Sequence, residues 1–347
     1  MATLKDVARA VGLSAMAVSK ALRDAPDISS ATKNRVRAAA EKLNYVPNRA
    51  AQNLRLKQSR LLGVVVPNIN HPYYGNLVWG IERQAESLGF QVILGHSLNR
   101  GDLEIQEVKK MLSRQAQGLL LVPAVRWQHR LATLELLRAA QVPVVMLDRY
   151  PAGAEQFSTA SWVVCKDQNG AEMATHYLLD LGHREILFLA GPHGSSSSAG
   201  RFIGYQRAMK ASTTGYNDAR VYMGGSDIES GKVAMSQVLS EGVSFTAVVA
   251  FNDQVALGAI DVLYQQGFHV PKDVSVLGFG DGLLAAYHRV PLTTVRIPQV
   301  DQGVAAVHLL ENLIHGRPAQ PRELPVELVI RQSCARPKTL IANPANS

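Results

Sequence analysis

The sequence predicts a chain in two parts: a small all-α head, then a larger α/β body built on parallel sheets. Three observations predict it. Apolar residues recur at helical spacing from Leu4 to Leu43, then give way, from Leu61 onward, to short apolar runs alternating with amphipathic stretches. The length, 347 residues, is enough for more than one domain with a sizeable core. Charge is divided along the chain: residues 1–60 hold twelve Lys/Arg against four Asp/Glu, so the whole net charge of +8 sits there, and residues 61–347, with 24 of each sign, are neutral. A solvated charged surface would not be confined to one end. A basic block in front of a neutral body is the pattern of a nucleic-acid-binding head.

In the stretch T-L-K-D-V-A-R-A-V-G-L-S-A-M-A-V-S-K-A-L, Leu4, Val7 and Ala8 share one face of a first helix, and Val18 and Leu22 repeat the spacing in a second. Thr3 is placed as an N-cap with Asp6 three residues on, Ser14 caps the second helix, and Gly12 stands at the corner. Two short capped helices about a glycine predict a helix-turn-helix, whose second helix fits a DNA major groove. Pro26 and Asp27 then break the chain. Ser29 caps a third helix with Val36, Ala40 and Leu43 as its apolar stripe, and Tyr45 and Pro47 end it. The run N-R-A-A-Q-N-L-R-L-K-Q predicts a short helix from Asn48 to about Arg55. Isolated helices need roughly twelve to fifteen residues, so this segment is read as one that folds on binding. Its apolar member, Leu54, is either a buried contact against the next domain or a wedge between base pairs in the minor groove.

In the body, strands are predicted at 61–67, 91–95, 118–122, 142–147, 185–190, 220–223, 247–250 and 274–278, with helices at 77–88, 103–115, 131–140, 171–181, 201–211, 231–241 and 254–266. Such alternation predicts parallel sheets with helices on both faces, which bind ligands at the carboxyl ends of their strands. So many units exceed one compact sheet. A Pro/Gly/Ser/Thr-rich break at 148–162 predicts two lobes, with 292–332 crossing back to complete both.

Several function classes lack their residues. No run of eighteen apolar residues occurs, so no transmembrane helix is expected. Charged residues within the first 22 positions replace the apolar core of a signal peptide, and a cytoplasmic protein is expected. Cys165 and Cys334 are far apart, without metal-ligand spacing, and are read as reduced thiols. The run Gly278-Phe-Gly280-Asp-Gly282 continues with Leu283, so the dinucleotide pattern fails and a turn is the better reading. No phosphate-loop, serine-hydrolase or zinc motif is found, and no enzyme activity, cofactor or metal is expected. The serines between Gly194 and Gly200 suggest either a phosphate loop or, preferably, a mobile loop at a cleft rim.

Ligand-binding groups stand out at strand ends. Tyr73 and Tyr74 follow the first strand and either stack on a ligand or pack in the core. Asp148 ends a strand and suits ligand hydroxyls; Arg201 follows the serine run and offers a fixed fork of donors; Asn252 follows strand 247–250 and both donates and accepts.

The runs T-L-K-D-V-A, G-L-S, V-S-K-A-L and A-A-E-K-L-N-Y-V-P-N-R-A-A make the head resemble the DNA-binding head of the LacI/GalR family of bacterial regulators. The body resembles the family's type I periplasmic-binding-protein-like effector domain, through V-V-P-N-I-N-H-P-Y-Y, V-M-L-D-R, L-G-H-R-E-I-L-F-L-A-G-P, R-F-I-G-Y, A-F-N-D-Q-V-A-L-G-A and V-P-L-T-T-V. The resemblance runs to about residue 337. It implies a helix-turn-helix domain at 1–46, a hinge helix and linker at 47–59, and an effector and dimerisation domain at 60–340. The first lobe would be about 60–160 with 292–322, the second about 161–291 with 323–338, and 341–347 a disordered tail.

The same resemblance implies a sequence-specific regulator, most simply a repressor. It would bind double-stranded operator DNA as a homodimer under the control of a small effector, a sugar or sugar acid ahead of a purine. The last residues, T-L-I-A-N-P-A-N-S, do not match the family's leucine-repeat tail, which favours a dimer over a tetramer. Ala15 and Met16 would read operator bases, with Ser19 and Lys20 one turn later. Having no bidentate groups, Ala15 and Met16 would respond to shape and thymine methyls. Thr3, Ser14, Ser29, Thr32 and Tyr45 would position phosphates, and Asn48, Ala51 and Leu54 would enter the minor groove. Tyr73, Tyr74, Asp148, Arg201, Asn252 and Asp281 would line the effector cleft. Two departures stand out: Gly280 where the family commonly has an Asp, and Ser226 where some members have an aromatic residue.

Overall fold

The structure, a computed structural model, describes residues 2–46, 59–124 and 132–338. The chain divides into two compact units, residues 1–59 and 60–347.

The first unit is a three-helix head: α1 (Leu4–Val11), α2 (Ala15–Leu22) and α3 (Ser30–Lys42). Each starts where its cap stands in sequence. Thr3 and Asp6 form a reciprocal capping box, while Ser14 accepts from the Ala17 N–H and Ser29 from the Thr32 N–H. Gly12 ends α1 in the left-handed region, φ 64°, which turns the chain into α2. Val7, Val18, Ala21 and Val36 are fully buried between the helices. Leu43 departs from the predicted stripe: it is the C-cap residue of α3 and is 37% exposed, because the helix ends at Lys42 before another turn can bring it inward.

The second unit holds two six-stranded sheets among its described residues. The first contains β1 (Leu61–Val66), β2 (Gln91–His96), β3 (Gly118–Leu121), β4 (Val144–Leu147), β5 (Ala160–Cys165) and β11 (Arg322–Leu324), in the order β11-β5-β4-β3-β1-β2. The second contains β6 (Ile186–Ala190), β7 (Val221–Met223), β8 (Ala247–Ala250), β9 (Ser275–Gly280), β10 (Thr293–Arg296) and β12 (Glu327–Val329), in the order β12-β10-β9-β8-β6-β7. All pairings are parallel except β10 with β12.

The interleaved helices are α4 (Pro72–Ser87), α5 (Gly101–Ser113), α6 (Ala132–Ala139), α7 (Asp167–Asp180), α8 (Ser196–Ala211), α9 (Ile228–Ser240), α10 (Asp253–Gln265), α11 (Leu283–Tyr287) and α12 (Gln299–Ile314). Strands read as near-continuous apolar runs because both faces are covered. In β1, Leu62, Val64 and Val66 join the core under α4 and α12, while Val65 joins the core under α5 and α6. Gly80 and Gly303 let α4 and α12 touch backbone to backbone: a Cβ on Gly80 would lie 2.3 Å from the Val300 carbonyl oxygen, and one on Gly303 2.4 Å from that of Leu77. That contact returns a late helix to the first lobe.

The lobe crossings differ from those predicted at 160/161, 291/292 and 322/323. Strand β5, in the stretch read as a break, belongs to the first sheet through its pairing with β4, and the chain crosses between Cys165 and Asp167. Strand β10 pairs with β9 in the second sheet, so the return crossing lies between Arg296 and Gln299. The last crossing separates β11 from β12, between Leu324 and Glu327. These strands carry Ser, Thr, Arg or Glu, and β11 and β12 span only three residues each, so they lack the uninterrupted apolar run that marks a central strand.

Among the described residues no helix is long and apolar enough to cross a membrane, and no group of His, Cys, Asp and Glu is arranged to hold a metal ion.

Candidate functional site

On the head, α2 presents Met16, which is 64% exposed although large and apolar. Its neighbour Ala15 is half-buried against the core of the head, so the predicted reading pair is unequal. One turn later Lys20 is paired with Asp27 at 2.5 Å, and the Ser19 carbonyl accepts from Arg23 Nε at 3.1 Å. The hydroxyl groups predicted to position phosphates act first as caps. Ser14 Oγ accepts from the Ala17 N–H at 3.1 Å, which leaves its own proton for an acceptor. Ser29 Oγ accepts the Thr32 N–H and lies 2.9 Å from Thr32 Oγ1. Thr3 is more committed, since its hydroxyl donates to Asp6 Oδ2 at 2.7 Å. That bond and the Thr3 N–H hold the Asp6 carboxyl below its usual range. Tyr45 is half-buried against the helices, and burial raises its phenol. Asn48, Ala51 and Leu54 lie outside the described residues.

In the second unit, the carboxyl ends of strands from both lobes surround one cavity of about 380 Å³. Each lining group is placed by the strand or helix end beside it. His71 caps α4, its Nδ1 accepting from the Tyr73 N–H at 3.3 Å, and burial lowers the imidazole below its ordinary range. Tyr73 and Tyr74 follow, edge to face at 5.0 Å. Tyr74 packs into the first lobe's core, whereas Tyr73 packs against the cores of both lobes and donates to Gln302 Oε1 at 2.6 Å. Both rings therefore pack in the core and border the cavity as well. Asp148, at the end of β4, has a left-handed backbone (φ 64°) and accepts from Tyr74 at 3.4 Å and from Arg149 Nη1 at 3.1 Å.

Across the cavity, Arg201 projects from α8 and is 4% exposed. Its Nε donates to Asp167 Oδ1 at 2.7 Å and its Nη1 to the Phe251 carbonyl at 2.7 Å. The guanidinium carbon lies 3.9 Å from the Phe279 ring centroid and 4.6 Å from that of Phe251, so the plane is clamped by cation–π contacts. Burial raises the Asp167 carboxyl to about 6 against the pull of Arg201, which still leaves an ion pair at neutral pH. Asn252 caps α10 through Oδ1, 2.9 Å from the Val255 nitrogen, and donates through Nδ2 to the Ser226 carbonyl at 2.9 Å.

Five of the six predicted cleft residues thus border the cavity. Asp281 is the correction. Its backbone is left-handed (φ 55°) and its carboxylate turns away to Arg296, at 2.7 Å, and to Arg331, tying strand ends together instead of lining the cavity. The serine run is a second correction. Ser195 caps α8, Ser197 and Ser198 are buried in its first turn, and Ser196 Oγ accepts from the Tyr150 N–H, so the run is a helix start and not a loose rim loop. The sequence reading passed over Arg149 and Asp253, each directly after a residue it singled out. Arg149 donates to the Pro123 carbonyl at 2.7 Å and to Asn99 Oδ1 at 2.6 Å, besides Asp148. The available signal was a charge placed within three residues of the end of a wholly buried strand.

Comparison with known proteins agrees with this arrangement. Residues 3–48 match the model for bacterial regulatory proteins of the lacI family, and residues 175–334 match a periplasmic binding protein-like domain. The HTH-type transcriptional regulator GalR of Escherichia coli (strain K12) is 33% identical over 92% of this chain and 91% of its own length. The chain belongs to the lacI family of bacterial regulatory proteins. The ribose operon repressor of the same strain is 30% identical over 96% of the chain and 99% of its own length. Among solved structures, the lac repressor dimer bound to operator and the anti-inducer ONPF superposes with a TM-score of 0.84 at 29% identity, covering 96% of this chain and 99% of that one. A CelR–cellobiose complex superposes with a TM-score of 0.72, also at 29% identity, over 96% of this chain and all of the other. As a lacI family member, the chain is a DNA-binding transcriptional regulator carrying an effector-binding domain behind its helix-turn-helix.

Proposed function

We propose that this chain is a repressor that binds a near-palindromic operator as a homodimer, does no enzymatic chemistry, and is switched by a small polyhydroxylated effector held in the cavity between its lobes. The observation that carries the effector reading is the set of fixed polar groups, Asp148 and Asn252 from two strand ends and Arg201 from α8, converging on one cavity of about 380 Å³. Relatives support the ligand class: one is named for the ribose operon and a structural neighbour was solved with cellobiose. PurR is also among the relatives, at about 30% identity, and keeps a purine as the second reading.

Head and cavity divide the work. Met16 would contact base edges or thymine methyls, with Ser14, Ser29 and Thr32 on phosphates and Leu54 as the minor-groove wedge. An effector that binds one lobe arrangement more tightly shifts the fraction of operator-competent dimer, by no more than its differential affinity for the two states. The test is selection of an operator from a randomised duplex library, followed by fluorescence anisotropy across a salt series with and without sugars. A flat salt dependence would sink the DNA-binding role, because phosphate contacts release counterions. Sedimentation at the binding concentration tests the dimer; a monomer bound to a full palindrome would refute it.

A further inference from the structure

The Gly278-Phe-Gly280-Asp-Gly282 run matches no phosphate-binding pattern, yet it has a structural partner. Asp253, the first residue of α10, is 7% exposed and lies beneath the end of β9. A Cβ on Gly278 would stand 2.5 Å from its Oδ1, one on Gly280 3.2 Å from its Oδ2, and one on Gly282 3.7 Å from the same oxygen. Three alternate glycines thus wrap one carboxylate with no side chain of their own. Asp253, Gly280 and Gly282 all border the cavity, and Asp281 between the last two is turned away to its arginines. The acid that this wall offers a ligand comes from α10.

That carboxylate is incompletely used. Thr294 donates its hydroxyl to Oδ1 at 2.5 Å and the Gly282 N–H donates to Oδ2 at 2.8 Å. A carboxylate accepts about four hydrogen bonds, and among the described residues no cation lies within ion-pair distance of Asp253. The cations bordering the cavity are spoken for. Arg201 holds Asp167 and a carbonyl, and Arg149 holds Asp148, a carbonyl and Asn99. The charge of each arginine is already matched by a carboxylate, so an entering anion would meet no net positive charge there and would approach the unpaired Asp253. A donor would find an acceptor with capacity left.

Resting on the effector reading above, we propose that Asp253 is a ligand-recognising residue, and that the effector presents it a hydroxyl or ammonium donor and carries no net negative charge. This separates neutral and amino sugars from sugar acids and sugar phosphates.

The test is isothermal titration of the full-length chain with matched sets: glucose, glucosamine, glucuronate and glucose 6-phosphate, and the corresponding galactose series. The expected result is that within a set the neutral or amino member binds and the acid and phosphate do not. Tighter binding of the amino member assigns an ammonium at Asp253; tighter binding of the neutral one assigns a hydroxyl. Asp253→Asn is expected to weaken the bound sugar at least tenfold with a cooperative melt retained. If Asp253→Asn does not melt cooperatively, Gly282→Ala, whose backbone (φ −68°) accepts a side chain and whose Cβ would stand 3.7 Å from Oδ2, sets a methyl beside the same oxygen and is expected to weaken binding too. Preferred binding of the acid or phosphate, or unchanged affinity in these variants, overturns the proposal and leaves the effector cavity intact. No heat from any member of either set, nor from ribose or cellobiose titrated beside them, with operator binding preserved, removes the sugar-effector reading and this proposal with it.

Discussion

Arg201 and Asp167 form a buried ion pair between the starts of two adjacent helices, Nε to Oδ1 at 2.7 Å, with the guanidinium held between Phe251 and Phe279. Removing one partner of such a pair strands the other. Arg201→Ala is expected to cost about 3–5 kcal/mol of stability and to abolish the effector response. Arg201→Lys keeps the charge but not the planar fork, so it should retain more of the fold and still lose effector affinity at least tenfold. Thermal melts beside effector titrations check both; a lysine variant with full affinity would refute the role of the fork.

Met16 is exposed where Ala15 is half-buried. Met16→Gln replaces an apolar contact with a group that pairs with adenine, and each such base contact is worth about 1–3 kcal/mol of discrimination. The preferred operator should change at one position per half-site, as read by selection from a randomised library. Ala15→Gly should change it less. An unchanged consensus for Met16→Gln would remove this residue from base reading.

Leu54→Ala is expected to weaken operator binding at least tenfold, because wedging between base pairs needs the apolar side chain. Its effector affinity should match that of the unmodified chain. Parallel anisotropy and calorimetry decide: equal losses in both would mean that Leu54 packs against the body.

Burial pushes the Asp253 carboxyl up to about 6, partly offset by the Thr294 and Gly282 hydrogen bonds. A folded pKa above the unfolded value near 3.8 means that the folded state holds the proton more tightly. That contribution to stability is complete below about pH 4 and is lost as pH rises through about 6. Asp253→Asn has no such dependence. Its melting temperature relative to the unmodified chain should therefore be more favourable at pH 7.5 than at pH 4.5. A constant difference between the two conditions would show that Asp253 ionises normally.

The elements with strong local signals were readable in advance. Thr3, Ser14 and Ser29 cap the helices they were expected to cap, and buried runs such as 118–121 and 247–250 are central strands. What escaped has a common cause. Helices predicted to start at 77, 171, 201 and 231 begin instead at Pro72, Asp167, Ser196 and Ile228. Their first turns carry tyrosines, acids and serines, and these break the apolar period that marks a helix. Local pattern and global fold disagree where the ligand groups sit. Strand ends pointed to Asp148, Arg201 and Asn252 correctly as neighbours of the cavity. They did not reveal that Asp281 would be drawn off by Arg296 and Arg331, because those partners lie 15 and 50 residues away along the chain.

The interleaving of the two sheets also sets an order of assembly. The first sheet takes its edge strand from residues 322–324 and the second takes its own from 327–329, while helix 299–314 covers the first lobe. Neither lobe reaches its full complement of partners while a ribosome still holds back residues 322–329. Closing such distant segments costs chain entropy before any contact repays it, and folding slows as contacting residues lie farther apart in sequence. Through synthesis both half-built sheets expose an unpaired edge, which is the hazard for association with other nascent chains. The head carries no such debt: its three helices complete their shared core within the first 45 residues, so a DNA-reading module is ready long before the body that would control it.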